Sequence, residues 1–451
     1  MHLQRIRVPD FRVLKDVDIT FEKDFVPRIF PLGSLNGGGK STLLQLIFTL
    51  LHCSTDPERK PFLQNLLYGF EVRDDSPKRT LAKIDIWNND RTVSFNFFCC
   101  KYSYIQEKLQ LSDDYPKYYH SLTPQGFQDL INNYLVWINS CKFDFLGALF
   151  KRYENMKNIY FEKEFELNDW DGEILARETE DFFIKIEKYL ESEKLIFVSE
   201  YRVNKEGEND KNFLLCHIDG LNTEKITEVE LFFKDISRKI FLAAPSTQVF
   251  LFMDQESRNL LFKSQSGTDK DYSSQLKDAR SKLINLFTYD FLAVDLLIQA
   301  FKDARDRDFR EAIETGEYGN NYQRLKNELN QMLFNKKINI DKDFNGVNFT
   351  LDRNGETIEL SPEDLSHGEL KRLSIYMWLK HHNIEDAIVL MDEIEIAFHP
   401  DWQYQIIQDL QEWAPNNQYI LATHSYELCQ ALTPAHVKEL EPKLIQQDPE
   451  N

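Results

Sequence analysis

The residues of this sequence best suited to chemistry form a glycine-rich segment that ends in a lysine and two hydroxyl side chains. The segment runs from Gly33 to Thr42 and reads GSLNGGGKST, between an apolar run and a helical run. Glycines let backbone amides curl around phosphates, and the N-terminus of the following helix adds a partial positive charge. Lys40 can reach the phosphates of a nucleotide, and Ser41 can ligate Mg²⁺. The segment predicts a phosphate-binding loop, with a βα turn that binds no nucleotide as the alternative. The predicted nucleotide-binding residues are Asn36, Gly37, Gly38, Gly39, Lys40, Ser41 and Thr42.

A second candidate is a short apolar run, 387–391, that ends in two carboxylates, Asp392 and Glu393. A buried strand of this kind can deliver Asp392 to a magnesium-bound water and Glu393 to the attacking water, as hydrolysis of a phosphoanhydride needs. Taken alone, such a run more often just ends a strand. Together with the phosphate-binding loop it predicts Ser41 and Asp392 as Mg²⁺ ligands and Glu393 as a catalytic residue.

Two further segments lie where they could contact a nucleotide. The residues LSHGE, 365–369, precede a helical run, and a serine hydroxyl with glycine amides at a helix N-terminus forms an anion site. Ser366 is also explained as an ordinary helix cap. After a predicted strand, 418–422, comes His424. A histidine at the end of a strand beside the nucleotide-binding strand can contact the γ-phosphate, so we predict His424 as a second catalytic residue.

The elements that position these residues are predicted from hydrophobic periodicity. Strands are predicted at 2–8, 13–21, 25–32, 81–87 and 92–99, and a buried helix at 40–53. Residues 337–360 alternate, with turns at 345–346 and 354–355, and the last 90 residues run helix, strand, helix, strand, helix. Between the strand predicted at 92–99 and residue 337, four segments have the hydrophobic periodicity of a helix: 127–140, 176–192, 273–287 and 321–335. One short apolar run, near 195–199, lies among them.

These elements predict three segments. Residues 1–101 form the first part of an α/β head and contain the phosphate-binding loop. Residues 102–336 form a mainly helical insertion with one core strand near 195–199. Residues 337–451 form the second part of the head. The helical runs keep no long heptad pattern, which argues against a coiled-coil arm.

Composition excludes several classes of protein. The 451 residues carry 54 Lys and Arg against 74 Asp and Glu, a net charge of −20, so a surface that wraps nucleic acid is excluded. The six cysteines lack the spacing of a zinc site or a disulfide framework. No apolar run approaches the roughly 18 residues of a membrane span, and the first residues are typical of a strand and not of a signal peptide. We therefore expect a soluble, cytoplasmic protein without membrane contact.

The four motifs, in this order, resemble those of the ATP-binding-cassette (ABC) class of ATPases, in the branch shared with the structural-maintenance-of-chromosomes (SMC), RecF and OLD-like ATPases. Residues 36–42 resemble the Walker A motif, 365–369 the signature motif, 390–393 the Walker B motif and His424 the switch histidine. The resemblance covers roughly residues 1–100 and 337–435, and includes a D-loop, DEIEIAFHP at 392–400, with isoleucine where proline is usual.

The resemblance implies an ABC-type P-loop ATPase head, with a mixed sheet and flanking helices, that hydrolyses ATP with Mg²⁺. It also implies a homodimer with two ATP molecules between the subunits, in which Ser366, Gly368 and Glu369 act in trans. No glutamine of a Q-loop can be assigned, and Glu200 in the segment 198–202 takes that place. Two departures from the family pattern predict slow turnover, with ATP sensed more than consumed. One is Ser34, where the strict loop pattern has glycine, and the other is Glu200.

Within that class, the sequence most resembles the PtuA-like ATPases of Septu and retron antiphage systems. Lys40 and Ser366 are 326 positions apart without a coiled coil, and only 27 residues follow His424, so we expect any nuclease on another polypeptide. The resemblance implies a regulatory ATPase that assembles into a higher oligomer and controls an HNH nuclease of the PtuB type. In the retron version the partners include a reverse transcriptase and its small DNA, and nucleic acid is contacted through the complex. The alternatives are a RecF-like repair ATPase that clamps DNA directly and a scaffold locked by nucleotide.

Overall fold

The structure is a computed structural model that describes residues 1–33, 37–73, 76–88, 90–101, 104, 189–190, 192–203, 211–221, 226–253, 258, 272–289, 294–333, 335–353 and 356–440. The strands are β1 (His2–Phe11), β2 (Leu14–Thr20), β3 (Ile29–Gly33), β4 (Lys78–Asn88), β5 (Arg91–Lys101), β6 (Leu195–Arg202), β7 (Lys211–Asp219), β8 (Ile240–Ala244), β9 (Leu286–Thr288), β10 (Lys336–Ile340), β11 (Val347–Arg353), β12 (Glu356–Leu360), β13 (Ile388–Asp392), β14 (Gln418–Ala422) and β15 (Lys438–Glu439). The α-helices are α1 (Lys40–Cys53), α2 (Lys60–Leu67), α3 (Ile226–Arg238), α4 (Tyr272–Lys282), α5 (Val294–Thr315), α6 (Asn321–Met332), α7 (His367–His381), α8 (Pro400–Trp413) and α9 (Tyr426–Gln430). Short 3₁₀ helices are Pro57–Arg59, Ser246–Phe252, Pro362–Asp364 and Pro434–His436.

One six-stranded sheet is parallel and carries the candidate site. Its order is β15-β3-β14-β13-β8-β9. All five residues of β13 and of β14 are buried, which explains why these strands read as continuous apolar runs, since a parallel sheet is covered on both faces. The register places Asp392 beside Ala422, at the carboxyl ends of the two strands.

A second six-stranded sheet is antiparallel, in the order β2-β1-β4-β5-β7-β6, and β10, β11 and β12 form a small antiparallel sheet of their own. One hydrophobic core joins the six-stranded antiparallel sheet to α1 and to one face of the parallel sheet. Because α1 lies inside that core, twelve of its fourteen residues are buried. A second core covers the other face of the parallel sheet with α5, α6, α7 and α8.

The predicted α/β fold class, with sheets and flanking helices, is confirmed by this arrangement of α1 between two sheets. Strands of opposite direction are separated into two sheets and do not form one mixed sheet. The predicted order of the C-terminal part is also found, as α7, β13, α8, β14 and α9.

The segment predicted as a mainly helical insertion contains more head strands than expected. The run near 195–199 is β6, but β7, β8 and β9 also lie between 102 and 336 and belong to the two large sheets. The prediction of helix over 273–287 was wrong in its last part, because α4 ends at Lys282 and β9 follows. The predicted helix 127–140, most of 176–192 and the turn at 354–355 lie outside the described residues, and the three-segment division stays a prediction.

Several features expected from composition can be compared with the described part of the chain. Cys53, Cys99, Cys100, Cys216 and Cys429 are free thiols there. Within the same residues no three metal-binding side chains cluster. None of the helices so described combines the length and apolar character needed to cross a membrane.

Candidate functional site

The phosphate-binding loop leads from β3, inside the parallel sheet, into α1. Gly37 and Gly39 have φ of 81° and 89°, a conformation that favours glycine. At Gly39 a side chain would also meet Leu14, with a Cβ only 2.6 Å from Leu14 Cδ2. Gly39 therefore lets the loop pass under the β1–β2 hairpin. Asn36, predicted to bind nucleotide, lies outside the described residues together with residues 34 and 35.

Lys40 begins α1 and is buried, 6% exposed. Its Nζ lies 3.4 Å from Nδ1 of His424. Burial lowers the pKa of Lys40, while the carboxylates of Asp392, Glu395 and Glu393 act in the opposite direction. Lys40 thus extends toward the predicted switch histidine and three acidic groups.

The hydroxyl of Ser41 connects the first motif to the third. Ser41 Oγ donates a hydrogen bond to Asp392 Oδ1 at 3.0 Å. Asp392 is 3% exposed, and burial raises its pKa to about 7, with Glu393 and Glu395 adding to the rise and the Ser41 bond opposing it. A hydroxyl and a carboxylate are the oxygen ligands that Mg²⁺ prefers. The oxygen donors and the buried acidic group therefore fit Mg²⁺ at this position.

Glu393 follows β13 directly and is half-buried. Its backbone has φ of 52°, and its N–H donates to the carbonyl of Ala422 at 2.9 Å, which fixes it to the end of β14. Its side chain lines an open cavity of about 360 Å³ together with Glu395, Ile396, Gln403, His424, Ser425 and Glu427. A carboxylate in such a place can accept a proton from a water beside the nucleotide.

His424 follows β14 after one residue, and its side chain is exposed. Its backbone N–H donates to Glu395 Oε1 at 2.7 Å. Glu395 is 8% exposed, and among the described residues its Oε2 has no hydrogen-bond partner. Sequence reasoning gave Glu395 no role. The available signal was a carboxylate between two apolar residues, Ile394 and Ile396, directly after the Walker B-like motif.

The residues of the signature-like motif form a separate group at the N-terminus of α7. Ser366 caps the helix, and its Oγ accepts from the N–H of Glu369 at 3.3 Å. In return, Glu369 Oε2 accepts from the N–H and Oγ of Ser366 at 3.0 and 2.8 Å. This reciprocal arrangement is a capping box. Ser366 and its neighbour His367 are exposed.

Glu369 also has a structural contact inside its own subunit. It is buried, and its Oε1 accepts from Lys336 Nζ at 2.6 Å. Burial alone would raise the pKa of Glu369, but the bonds from Lys336 and Ser366 outweigh it and the pKa is lowered. The carboxylate of Glu369 thus accepts hydrogen bonds from two residues of its own subunit and positions Ser366. Gly368 packs so closely that a Cβ would lie 2.8 Å from the carbonyl oxygen of Ala397. Nucleotide contact in trans by Ser366, Gly368 and Glu369 stays a prediction.

The Q-loop assignment of Glu200 stays a prediction, and the strand order adds Gln248 as a second candidate. Glu200 lies in β6, an edge strand of the antiparallel sheet. In contrast, β8 is the parallel neighbour of β13, so the segment after β8 lies at the same edge as Asp392. Gln248 is in that segment, and its Oε1 accepts from Gln45 of α1 at 3.4 Å. The sequence alone could not reveal Gln248, because its place depends on β8 pairing with β13.

A glycine-rich loop between a parallel strand, β3, and a buried helix, with a carboxylate at the end of β13, the next strand but one, is typical of a P-loop nucleotide-binding protein. Comparison with known families agrees: the AAA ATPase domain model matches residues 1–429. The chain belongs to the AAA ATPase domain family.

Two curated relatives match short parts of the chain. A retron Vc95 probable ATPase of Vibrio cholerae serotype O1 biovar El Tor is 32% identical over 103 residues, 20% of this chain and 20% of that protein. A retron Ec83 probable ATPase of Escherichia coli is 44% identical over 46 residues, 10% of this chain and 8% of that protein. The chain therefore matches a fifth or less of the length of these relatives.

The structure is also similar to solved SMC heads. The SMC head domain from Thermotoga maritima is 8% identical, with 96% of this chain and 92% of that chain covered and a TM-score of 0.38. The Smc head domain from Pyrococcus furiosus, with an extended coiled coil and bound to the C-terminal domain of ScpA, is 11% identical, with 95% and 91% covered and a TM-score of 0.31.

Proposed function

We propose that the protein binds ATP with Mg²⁺ and hydrolyses it with Lys40, Ser41, Asp392, Glu393 and His424. The observation that carries the proposal is the 3.0 Å hydrogen bond from Ser41 Oγ to Asp392 Oδ1. It joins two motifs that are 351 residues apart in the chain, at the position where a P-loop ATPase holds its metal.

Each residue then has a distinct task. Lys40 and the loop amides bind the β- and γ-phosphates, while Ser41 and Asp392 would hold Mg²⁺, which when bound neutralises phosphate charge. Glu393 accepts a proton from the attacking water as the water oxygen bonds to the γ-phosphorus. The bond from that phosphorus to the β–γ bridging oxygen breaks, and ADP leaves with its electron pair. His424, 3.4 Å from Lys40, contacts the γ-phosphate.

The proposal includes a homodimer in which Ser366, Gly368 and Glu369 of one copy complete the ATP site of the other. Ser366 is exposed and held ready by its capping box. Large apolar side chains are also exposed around the cavity beside Glu393: Ile396 lines it, and Tyr404 and Tyr426 adjoin the lining residues Gln403 and Ser425. Such residues are favoured at protein interfaces.

We further propose that this ATPase is the regulatory subunit of an antiphage complex and that it controls an HNH nuclease through its nucleotide state. The similarity to two retron probable ATPases supports this assignment. In the retron version the complex contains a reverse transcriptase and its small DNA. Cytoplasmic assembly into a higher oligomer, and contact with nucleic acid through the complex, belong to the same proposal.

The test is mass spectrometry of the proteins that copurify with the tagged chain, expressed with its neighbouring genes. A small HNH protein in fixed ratio is expected, and a reverse transcriptase marks the retron version. Recovery of replication or recombination proteins, with salt-sensitive binding of the isolated chain to DNA ends, would instead establish a RecF-like repair ATPase.

Nucleotide control is tested with a Lys40→Ala variant. Because Lys40 is the buried cation at the loop, the variant is expected to lose ATP binding, measured with a fluorescent analogue, and with it control of the nuclease. Intact control without ATP binding would contradict the regulatory role. ATP-dependent assembly without measurable phosphate release would favour a nucleotide-locked scaffold.

A further inference from the structure

A buried lysine of α7 contacts the turn that carries Glu393. Lys371 lies five residues after Ser366 and is 6% exposed. Its Nζ donates hydrogen bonds to the carbonyl oxygens of Glu393 and Ile396, both at 3.0 Å. We call residues 393–398, which connect β13 to α8, the base turn. Lys371 thus bonds the first and the fourth residue of the base turn.

Two residues of the base turn have an unfavourable backbone conformation, which the hydrogen bonds from Lys371 stabilise. Glu393 and Ala397, neither of them glycine, have φ of 52° and 72°. Side chains are strained in this region, and strained residues persist only where their surroundings hold them. Within the turn, the N–H of Ile396 donates to Glu393 and that of Phe398 to Glu395, at 3.3 and 3.0 Å. The lysine adds two charge-assisted bonds, which are stronger than neutral ones.

The surroundings of Lys371 suit a buried ammonium group. The ring of Tyr289 lies 4.1 Å from Nζ and that of Phe398 lies 5.4 Å from it, and ring faces attract cations. The hydroxyl of Tyr289 in turn donates to the carbonyl of Ala243 in β8 at 3.1 Å. The lysine is therefore held in place from both sides.

A second contact joins the same two elements. Gly368 lies so close to the base turn that a Cβ would approach the carbonyl oxygen of Ala397 to 2.8 Å. The helix that begins at Ser366 thus touches the base turn at its first turn, through Gly368, and one turn later, through Lys371. A shift of this helix along its axis would pull on the peptide groups of Glu393 and Ile396.

We infer that Lys371 is a positioning residue for Glu393: by bonding the carbonyl oxygens of Glu393 and Ile396, it fixes the base turn and makes it move together with Ser366. The inference rests on the proposed function, in which Glu393 is the general base and Ser366 meets the nucleotide of a second copy. Lys371 acts through the backbone of the base turn. Through this contact, Lys371 connects Ser366, which would complete the ATP site of a second copy, to Glu393, the general base of its own subunit.

The test compares Lys371→Met, which keeps an apolar stem and removes the donors, with Lys371→Arg, which keeps the charge and donors. Lys380→Met is the matched control, since Lys380 is exposed near the other end of α7. Lys371→Met is expected to lower kcat by roughly ten- to a hundredfold, the scale of a misplaced catalytic group, with KM changed less than about threefold. Lys371→Arg is expected to recover most of the turnover, and Lys380→Met to lose none.

Two readouts separate positioning from general destabilisation. Hydrogen exchange of the peptide 391–399 is expected to quicken in Lys371→Met and to stay unchanged in Lys380→Met. In a Glu393→Gln background, Lys371→Met is expected to cost less than about twofold further, because the two changes act on one step. If Lys371→Met fails to fold, Lys371→Gln replaces it with the same expectations.

A full additional loss in the double variant, or unchanged exchange of 391–399, would overturn the inference. Failure of the proposed function is distinguishable, because the wild type would then release no phosphate. In that case the exchange experiment alone decides whether Lys371 holds the base turn.

Discussion

Three acidic side chains act on Lys40 in the described part of the candidate site. Asp392, Glu393 and Glu395 all act on Lys40, and burial with these neighbours raises the pKa of Asp392 to about 7. Phosphates alone would add negative charge to this acidic site, whereas a nucleotide with Mg²⁺ brings its own compensating cation. The proposed function therefore has a metal–nucleotide complex, and not free ATP, as the species that binds.

Glu393→Gln should separate binding from hydrolysis. The amide keeps the size of the side chain but cannot accept the proton of the attacking water. We expect ATP affinity to stay within about threefold and turnover to fall by roughly 10² or more, the scale of losing a general base. Single-turnover phosphate release measures this. Glu427→Gln, in the same cavity, is the matched control, and equal losses in both variants would contradict the assignment.

Glu395 is expected to act through the backbone of His424. Its Oε1 accepts the His424 N–H at 2.7 Å, and a glutamine in its place keeps an acceptor oxygen. Glu395→Ala should lower turnover by about tenfold or more and quicken hydrogen exchange at the His424 amide. Glu395→Gln should change turnover and hydrogen exchange at the His424 amide only slightly. Equal effects of the two substitutions would show that the charge, and not the hydrogen bond, is what matters.

At the scale of elements, α7 is fixed before any partner arrives. Arg372 forms a bidentate pair with Asp409 of α8 at 2.6 and 2.7 Å. Lys336, at the start of β10, holds Glu369 and through it the cap of α7. Rigid elements position binding groups more accurately than loops do. The N-terminus of α7, which we propose to meet a second copy, is thus held firmly by its own subunit.

Ser366→Arg tests that surface. The new side chain would project from the exposed N-cap toward the second copy, while the phosphate-binding loop of the same chain is unchanged. We expect each monomer to bind ATP within about threefold of the wild type and ATP-dependent dimerisation to be lost, as measured by sedimentation velocity. Ser361→Arg, at the exposed cap of the preceding 3₁₀ helix, is the control. Dimerisation unchanged in Ser366→Arg would rule out the trans arrangement.

The contiguous motifs could be predicted from the sequence, whereas the residues that support them could not. The adjacent residues in the sequence identify four site residues, and the structure brings these four together: Lys40, Ser41, Asp392 and His424. Lys371 resembles any lysine in a helix, and its contacts with the base turn exist only after folding. Gln248 depends on the pairing of β8, whose five residues are too short to show a period.

At the scale of the whole molecule, residues from opposite ends of the chain hold the two large sheets together. Buried Gln418, the first residue of β14, donates to the carbonyl of Leu3 and accepts from its N–H, at 2.9 and 2.6 Å. The N-terminal ammonium group and Lys239 both pair with Asp386, just before β13. The first strand thus helps to fix the sheet that carries Asp392.

Two buried histidines are expected to make the stability of the molecule depend on pH. Burial lowers the pKa of His2 and of His52 to about 4. Each is fully buried, and each bonds a backbone carbonyl, that of Phe21 at 3.0 Å and that of Ser237 at 2.8 Å. Between pH 4 and pH 6.5 these histidines are therefore protonated in the unfolded chain, where the pKa is near 6.5, and neutral in the folded chain. Their stabilising contribution is therefore complete above pH 6.5 and is lost as pH falls toward 4.

Urea denaturation of the wild type and His52→Gln at pH 7.5 and pH 5.0 measures this contribution. The raised pKa of Asp392 acts in the opposite direction, so the comparison of variants isolates the histidine. At pH 5.0 one such histidine should cost on the order of 2 kcal/mol of unfolding free energy. His52→Gln should lower stability at pH 7.5 through lost packing but reduce the further loss at pH 5.0 by about that amount. His399→Gln, at an exposed position, is the control variant. A His52→Gln protein with the same pH dependence as the wild type would mean that His52 is protonated as readily in the folded chain as in the unfolded one.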